Sequence, residues 1–295
     1  MTSKSAIPNY PQTESLRFKY RLLIINKIFA QNMKKTFSSK KSAFSLIELS
    51  IVLIIIGLLI AGVTGGASLI KSSQLRSVMG EARGYAVAVN AFNSQFNGIP
   101  GDFPTAIGNS VGGDNDNTIE YFGAATLAGS ESSNAWAALR TIGAIDSISL
   151  SPVIASTAPV FGATATSTAP ASKIQSAGWV FDYRTYTEGA AAIAANQNVV
   201  ILTSIITGAP TAATHTPILG TNISTAALPG SDALSIDSKI DDGIANAGKV
   251  RGINPGAGVA ATGTCYTYSG TANSTYLTTG TGKTCALSYQ VDVNS

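Results

Sequence analysis

From Leu49 to Ile70 the chain carries no charged residue, an apolar run of 22 positions. As a helix rising about 1.5 Å per residue it spans about 33 Å, enough to cross the hydrocarbon core of a bilayer. Beyond Lys71 the all-round apolar character narrows to a stripe. Leu75, Val78, Ala82, Tyr85, Val89, Phe92 and Phe96 recur in alternating steps of three and four, with Met79 and Ala86 beside them. That is the period of a helix with one buried face. A coiled coil would show the same period, but the stripe is short and its helix contains Gly80 and Gly84. Asn97-Gly98-Ile99-Pro100-Gly101 ends it, because Gly caps a helix and Pro forbids continuation. The pattern predicts one helix over 44–96, about 80 Å long, whose second half packs on the rest of the chain.

The later patterns are shorter. A second helix is expected over 131–145, with Trp136, Leu139, Ile142 and Ala144 as its apolar face. Residues 147–172, rich in Ser, Thr, Ala and Pro without periodicity, read as a surface loop. Strand signals follow at 178–183 and 199–203. Ser231 has the chemistry of an N-cap for a short amphipathic helix with Ile236, Ile240 and Ile244 at spacing four, stopped by Gly243 and turning into a strand near Val250. The flanks of Cys265 and Cys285 alternate like strands. The expected class is α+β: a long N-terminal helix packed on a small antiparallel sheet of about four strands. Nothing repeats internally, and residues 98–295 are ample for one core.

Charge changes the picture at the N-terminus. Lys34, Lys35, Lys40 and Lys41 precede the apolar run and Lys71 closes it. By the positive-inside bias the lysine-rich side stays cytoplasmic and the chain after Lys71 is exported. Nine of the 19 basic residues lie at or before Lys41 but only one of the 16 acids, so the chain from Phe44 on holds 10 and 15, a formal charge of −5. The basic pI belongs to the residues before Phe44, and no nucleic-acid partner is expected for the exported part. Charged residues make up 12% of the chain, about half the usual share, which suits a surface that packs on copies of itself. Glu48 breaks the apolar pattern. An ionisable group there is costly and calls for a named partner.

The segment Lys40-Lys41-Ser42-Ala43-Phe44-Ser45-Leu46-Ile47-Glu48-Leu49, with the apolar helix after it, resembles the prepilin processing site of type IV pilins and type II secretion pseudopilins. The resemblance implies that a prepilin peptidase cuts between Ala43 and Phe44 and that the new N-terminus of Phe44 is methylated. It also implies that Glu48 pairs with the N-terminal amine of an adjacent subunit as a filament grows. A cationic amine one turn from a carboxylate, itself favoured by the helix N-terminus, is a physically reasonable counter-charge. One position departs from the family: Gly is usual where this chain has Ala43, which bears on cleavage efficiency. An uncleaved signal anchor or an ordinary signal peptide is the plainer alternative, but the run is too long for a typical h-region and leaves Glu48 without a role.

The implied organisation is a leader over 1–43, a transmembrane or filament-core half-helix over 44–70, an amphipathic half over 71–97 and an exported globular domain over 98–295. Met33 opens a compact basic leader, so translation is expected to start there; peptides from residues 1–32 in a mass spectrum would contradict this. The succession Pro100-Gly101-Asp102, Gly112-Gly113-Asp114-Asn115-Asp116-Asn117 and Glu131-Ser132 before Trp136 resembles one branch of pilin-like proteins, as does Ile236-Asp237-Ser238-Lys239-Ile240-Asp241-Asp242-Gly243.

Candidate chemistry is sparse. Asp114 and Asp116 offer alternate carboxylates to calcium, although the loop lacks a full twelve-residue calcium pattern and such clusters also form plain turns. Asp241 and Asp242 are weaker metal candidates than turn-forming acids. Apart from that calcium, no cofactor is expected. Cys265 and Cys285, an even pair in an exported domain, favour one disulfide, as many type IV pilins have near their C-terminus; closing such a loop is worth roughly 3 kcal/mol. A zinc site would need two further ligands. His215 is the sole histidine and no nucleophile elbow surrounds a Ser or Cys, so no enzyme is expected. The favoured function is a type IV pilus subunit, with a type II secretion pseudopilin second and a membrane-anchored hydrolase or lectin third. The implied partners are other copies of the chain and related pilin-like subunits, the peptidase/methylase and an inner-membrane assembly platform. The implied location is the bacterial inner membrane with the C-terminal domain periplasmic, then a surface pilus or periplasmic pseudopilus.

Overall fold

A computed structural model describes residues 45–108, 110, 112–121, 130–146, 161–162, 168–184, 197–206, 218, 222–256, 263–268 and 273–291. The leader over 1–43, Ala43, Phe44, His215 and most of the loop expected over 147–172 lie outside these residues. The chain divides into two units, Met1–Thr64 and Gly65–Ser295. A single helix, α1 (Leu46–Phe96), contributes to both.

In the first unit every residue from Ser45 to Thr64 is exposed. Apart from Val87, the large exposed apolar side chains among the described residues all lie between Leu46 and Ile70. In water each would forgo about 1.5–3 kcal/mol of burial, so this surface calls for an apolar medium or an apolar partner to cover it.

In the second unit the stripe on α1 is the core-facing edge. Leu75, Val78, Met79, Ala82, Val89 and Phe92 are buried, with Tyr85, Ala86 and Phe96 packed half-buried beside them. They meet a four-stranded antiparallel sheet built from β3 (Gly178–Arg184), β4 (Gln197–Thr203), β7 (Val250–Ile253) and β10 (Ala286–Gln290), in the order β3–β4–β10–β7. The C-terminal strand thus lies between two earlier ones. Pairing of Trp179 with Leu202 and of Phe181 with Val200 places those four on one face. Trp179 and Leu202 line a small apolar cavity there together with Val78, Met79 and Ala82, all within one core. Both faces are covered, so β3 is buried along its whole length rather than alternating.

Helix α2 (Glu131–Thr141) docks Trp136 into this layer, with its ring 4.8 Å from Tyr85 and 4.1 Å from Phe181. It ends four residues before the expected 145. Gly143 takes φ 71°, its N–H donates to the Arg140 carbonyl and the Ala144 N–H to that of Leu139, a left-handed cap that closes the last turn. Ile142 and Ala144 keep the apolar spacing but follow the helix instead of extending it. Helix α3 (Gly230–Ile240) begins one residue before the expected Ser231 cap. The Pro229 carbonyl takes the first two N–H groups, from Asp232 and Ala233. Lys71 Nζ meets Asp232 Oδ1 of α3 at 2.8 Å, a partly exposed pair worth at most about 1 kcal/mol.

Short pairings complete the unit: β1 (Phe161–Gly162) parallel to β2 (Ala169–Pro170), β5 (Ile205–Ile206) with β6 (Ile223–Thr225), and β8 (Tyr266–Thr267) with β9 (Thr275–Tyr276). Cys265 and Cys285, both fully buried, are joined in a disulfide that ties the start of the β8–β9 hairpin to the residue before β10. Its closed loop holds that hairpin.

Candidate functional site

The first candidate region is the start of α1. Glu48 Oε2 accepts the Ser45 N–H at 3.0 Å, and Ser45 Oγ accepts the Ile47 N–H at 3.4 Å. Ser45 at the N-cap and Glu48 three residues on form a capping box, each side chain serving a backbone donor that the helix leaves unpaired. The Ser-x-x-Glu spacing carries this signal in the sequence, where the stronger pull of the processing motif hides it. The carboxylate sits beside the first turn, at the point where a new N-terminus at Phe44 would begin. Ala43 and Phe44 themselves lie outside the described residues.

The second region lies where α1 ends. The turn after Phe96 brings Asp102 under the acidic loop. Asp102 Oδ1 accepts the Asp116 N–H at 3.1 Å and Oδ2 the Asn117 N–H at 2.8 Å, while its carbonyl accepts the Asn115 N–H. Backbone lies on backbone here. A Cβ at Gly101, which has φ 92°, would strike the Glu131 carbonyl, and one at Gly113 would strike Asp102. Asn115 and Asn117 take φ of 64° and 71°, the left-handed region that Asn tolerates best after Gly.

Of the two acids expected to gather a cation, Asp114 is brought together with Asp102 and Glu131, each offering a carboxylate oxygen within 4.8 Å of the others. Asp116 Oδ1 accepts instead from Thr118, at 2.8 Å from its N–H and 2.6 Å from its hydroxyl. Glu131 and Asp102 are buried, 2% exposed each, and Asp114 is exposed. Glu131 Oε2 accepts the Glu120 N–H at 3.1 Å; Oε1 is buried with no donor in the fold to satisfy it. Burial, then a hydrogen bond shared with the Glu120 carboxyl and the charge of that group, holds Glu131 well above the usual carboxylate range. Burial likewise pushes Asp102 up to about 7 against three backbone N–H groups that pull it down. In the sequence Glu131 reads only as a helix start and Asp102 only as part of a turn.

A second acidic group, Asp237, Asp241 and Asp242, follows α3. Its oxygens are engaged in shaping the turn. Asp237 accepts from the Gly243 N–H and the Tyr276 hydroxyl, Asp241 from the N–H groups of Lys249 and Val250, and Asp242 from that of Ile244.

Asp182 on β3 binds the outer segments to the sheet, accepting the Tyr121 N–H at 3.3 Å and the Ile218 N–H at 2.6 Å. Complete burial pushes its carboxyl up to about 7 despite those donors and the nearby Arg184 guanidinium. The unfolded value is about 3.9, so the native state holds this proton more tightly and stability falls as pH rises from about 4 to about 7. In EDTA the thermal midpoint is expected to be higher at pH 4.5 than at pH 7.5. Asp182→Asn should make that slope shallower, with Asp102 and Asp237 supplying the remainder; parallel slopes for the two proteins would contradict the assignment.

Residues 38–64 match the family model described as the prokaryotic N-terminal methylation motif, the signature of type IV pilins and pseudopilins. No curated protein and no solved structure matches the chain. The matched segment covers Ala43, Phe44 and Glu48 and the first part of α1. Together with the apolar helix it fits anchoring in an inner membrane.

Proposed function

We propose that a chain carrying this methylation motif over 38–64 is a structural subunit of a type IV pilus-like filament. The motif over 38–64 is the observation that carries the reading. On it, prepilin peptidase cuts between Ala43 and Phe44, the Phe44 amine is methylated, and α1 holds the subunit in the inner membrane with its C-terminal domain on the periplasmic side. Assembly then moves the subunit into a helical polymer of copies and related subunits, with the apolar half of α1 bundled at the centre. Glu48 there meets the methylated amine of a neighbour. A heterologous, non-closing contact of this kind makes a filament without any catalytic group. The wholly exposed apolar surface of residues 46–64 supports the bundle, since lipid and a helix bundle are the two media that cover it. The disulfide-closed C-terminal part supports an extracellular life.

A pseudopilin of a type II secretion system shares the processing and differs in where the polymer goes. Shearing intact cells separates the two. The pilus reading expects the protein in the sheared surface fraction; retention of all of it in the periplasmic and membrane fractions would overturn that reading in favour of the secretion piston or a simple membrane tether.

A further inference from the structure

We infer that Asp102, Asp114 and Glu131 form a binding site for one divalent cation of the calcium type, set between the turn that ends α1 and the N-terminus of α2. The three carboxylates come from separate stretches of chain and bring oxygens within 4.8 Å of one another. Calcium takes oxygen ligands at about 2.3–2.6 Å, so two oxygens on one ion lie at most about 5 Å apart; magnesium, at about 2.1 Å, spans only about 4.2 Å. The bound of 4.8 Å admits either ion, but three protein carboxylates suit calcium, which takes flexible all-oxygen ligand sets, better than magnesium, which keeps several waters in a strict octahedron.

An independent feature points to a ligand. Glu131 Oε1 is buried with no donor in the fold to satisfy it, although Oε2 of the same carboxylate holds the Glu120 N–H; its carboxyl neighbour Glu120 can answer it only through a shared proton. A buried acceptor left empty is costly, and native proteins rarely keep one without a bound water or ion. The charges that act on these two buried acids are themselves acidic: Glu120 and Asp102 on Glu131, and Asp116 on Asp102. A shared proton or a cation relieves such a cluster, and Asp114, the third member, is exposed to solvent.

The scaffold is already set for it. Asp102 is fixed by the N–H groups of Asp116 and Asn117, and Gly101 and Gly113 let the backbones approach closely enough to bring Asp114 over it. The group at Asp237, Asp241 and Asp242 lacks these signs, because its members accept backbone and hydroxyl donors and no buried oxygen among them is orphaned. A bound ion would clamp the acidic loop to α2 and to the turn that ends α1. This goes beyond the filament reading and does not rest on it, since it concerns only the globular unit.

The test uses the full chain in detergent, stripped with EDTA and titrated calorimetrically with calcium chloride and magnesium chloride, with thermal unfolding in parallel. One calcium per chain is expected, with the midpoint raised by roughly 5 °C at saturation and less by magnesium. Glu131→Gln and Asp114→Asn should each abolish the binding heat and the shift; Asp114 is exposed, so its variant keeps the test sound should Glu131→Gln misfold. Asp241→Asn should leave both intact. No heat and no shift in the wild type would overturn the site, as would an undiminished calcium response in both variants or its loss in Asp241→Asn.

Discussion

Glu48→Ala leaves the subunit in the membrane and removes it from the polymer. Within its own chain the carboxylate holds only the Ser45 N–H, and losing a helix cap costs about 1 kcal/mol. A helix of 51 residues, apolar over its first half, withstands that loss. In the proposed filament the same carboxylate faces a neighbour's cationic amine in a water-poor bundle. Removing one partner of such a pair leaves a buried charge uncompensated, at about 3–5 kcal/mol per contact. That corresponds to a fall of at least roughly 100-fold in assembly. Glu48→Gln separates the two roles, because Gln still accepts the Ser45 N–H but carries no charge. Both variants are expected to be absent from sheared fractions and present in membranes at wild-type amounts. Wild-type polymer from Glu48→Ala would mean that the carboxylate serves only as a cap.

The second large effect is on folding. Trp136 is fully buried where α1, α2 and β3 meet, edge-on to Tyr85 and 4.1 Å from Phe181. Trp136→Ala removes a ring no neighbour can replace, since Tyr85 is itself wedged between Trp136 and Trp179. A loss of about 3–5 kcal/mol is expected. That is a large part of the stability of an ordinary domain, and it lowers the thermal midpoint by roughly 6–15 °C. Urea unfolding of the full chain in detergent reads it directly. A loss under about 1 kcal/mol would show that the aromatic layer is not the keystone of this core.

How far the sequence carried depended on the range of the interactions. The stripe from Leu75 to Phe92 was legible because helical period alone decides which side chains face inward. The strands were legible as apolar runs at 178–183 and 199–203, but the place of β10 between β4 and β7 was not, because strand order is fixed by pairings across the whole chain. The two- and three-residue strands are too short to show a period. At α2 the apolar spacing ran past the true end, and a single residue, Gly143 with its positive φ, overrode it. The acidic loop was visible, yet its companions were not. Asp102 and Glu131 stand far apart along the chain, and only folding sets one above the other. Glu81 was missed for the same reason. It sits on α1, where it accepts from the Trp179 indole at 2.9 Å and the Ser172 hydroxyl at 3.0 Å, both distant in sequence.

The central claim concerns where the mature chain begins. Intact-mass and fragmentation spectrometry on protein recovered from the cell envelope reads that terminus directly. A chain starting at Phe44 and carrying one methyl group on its amine is the predicted result. A chain still bearing residues before Phe44, or one cut beyond the apolar run of α1, would contradict it.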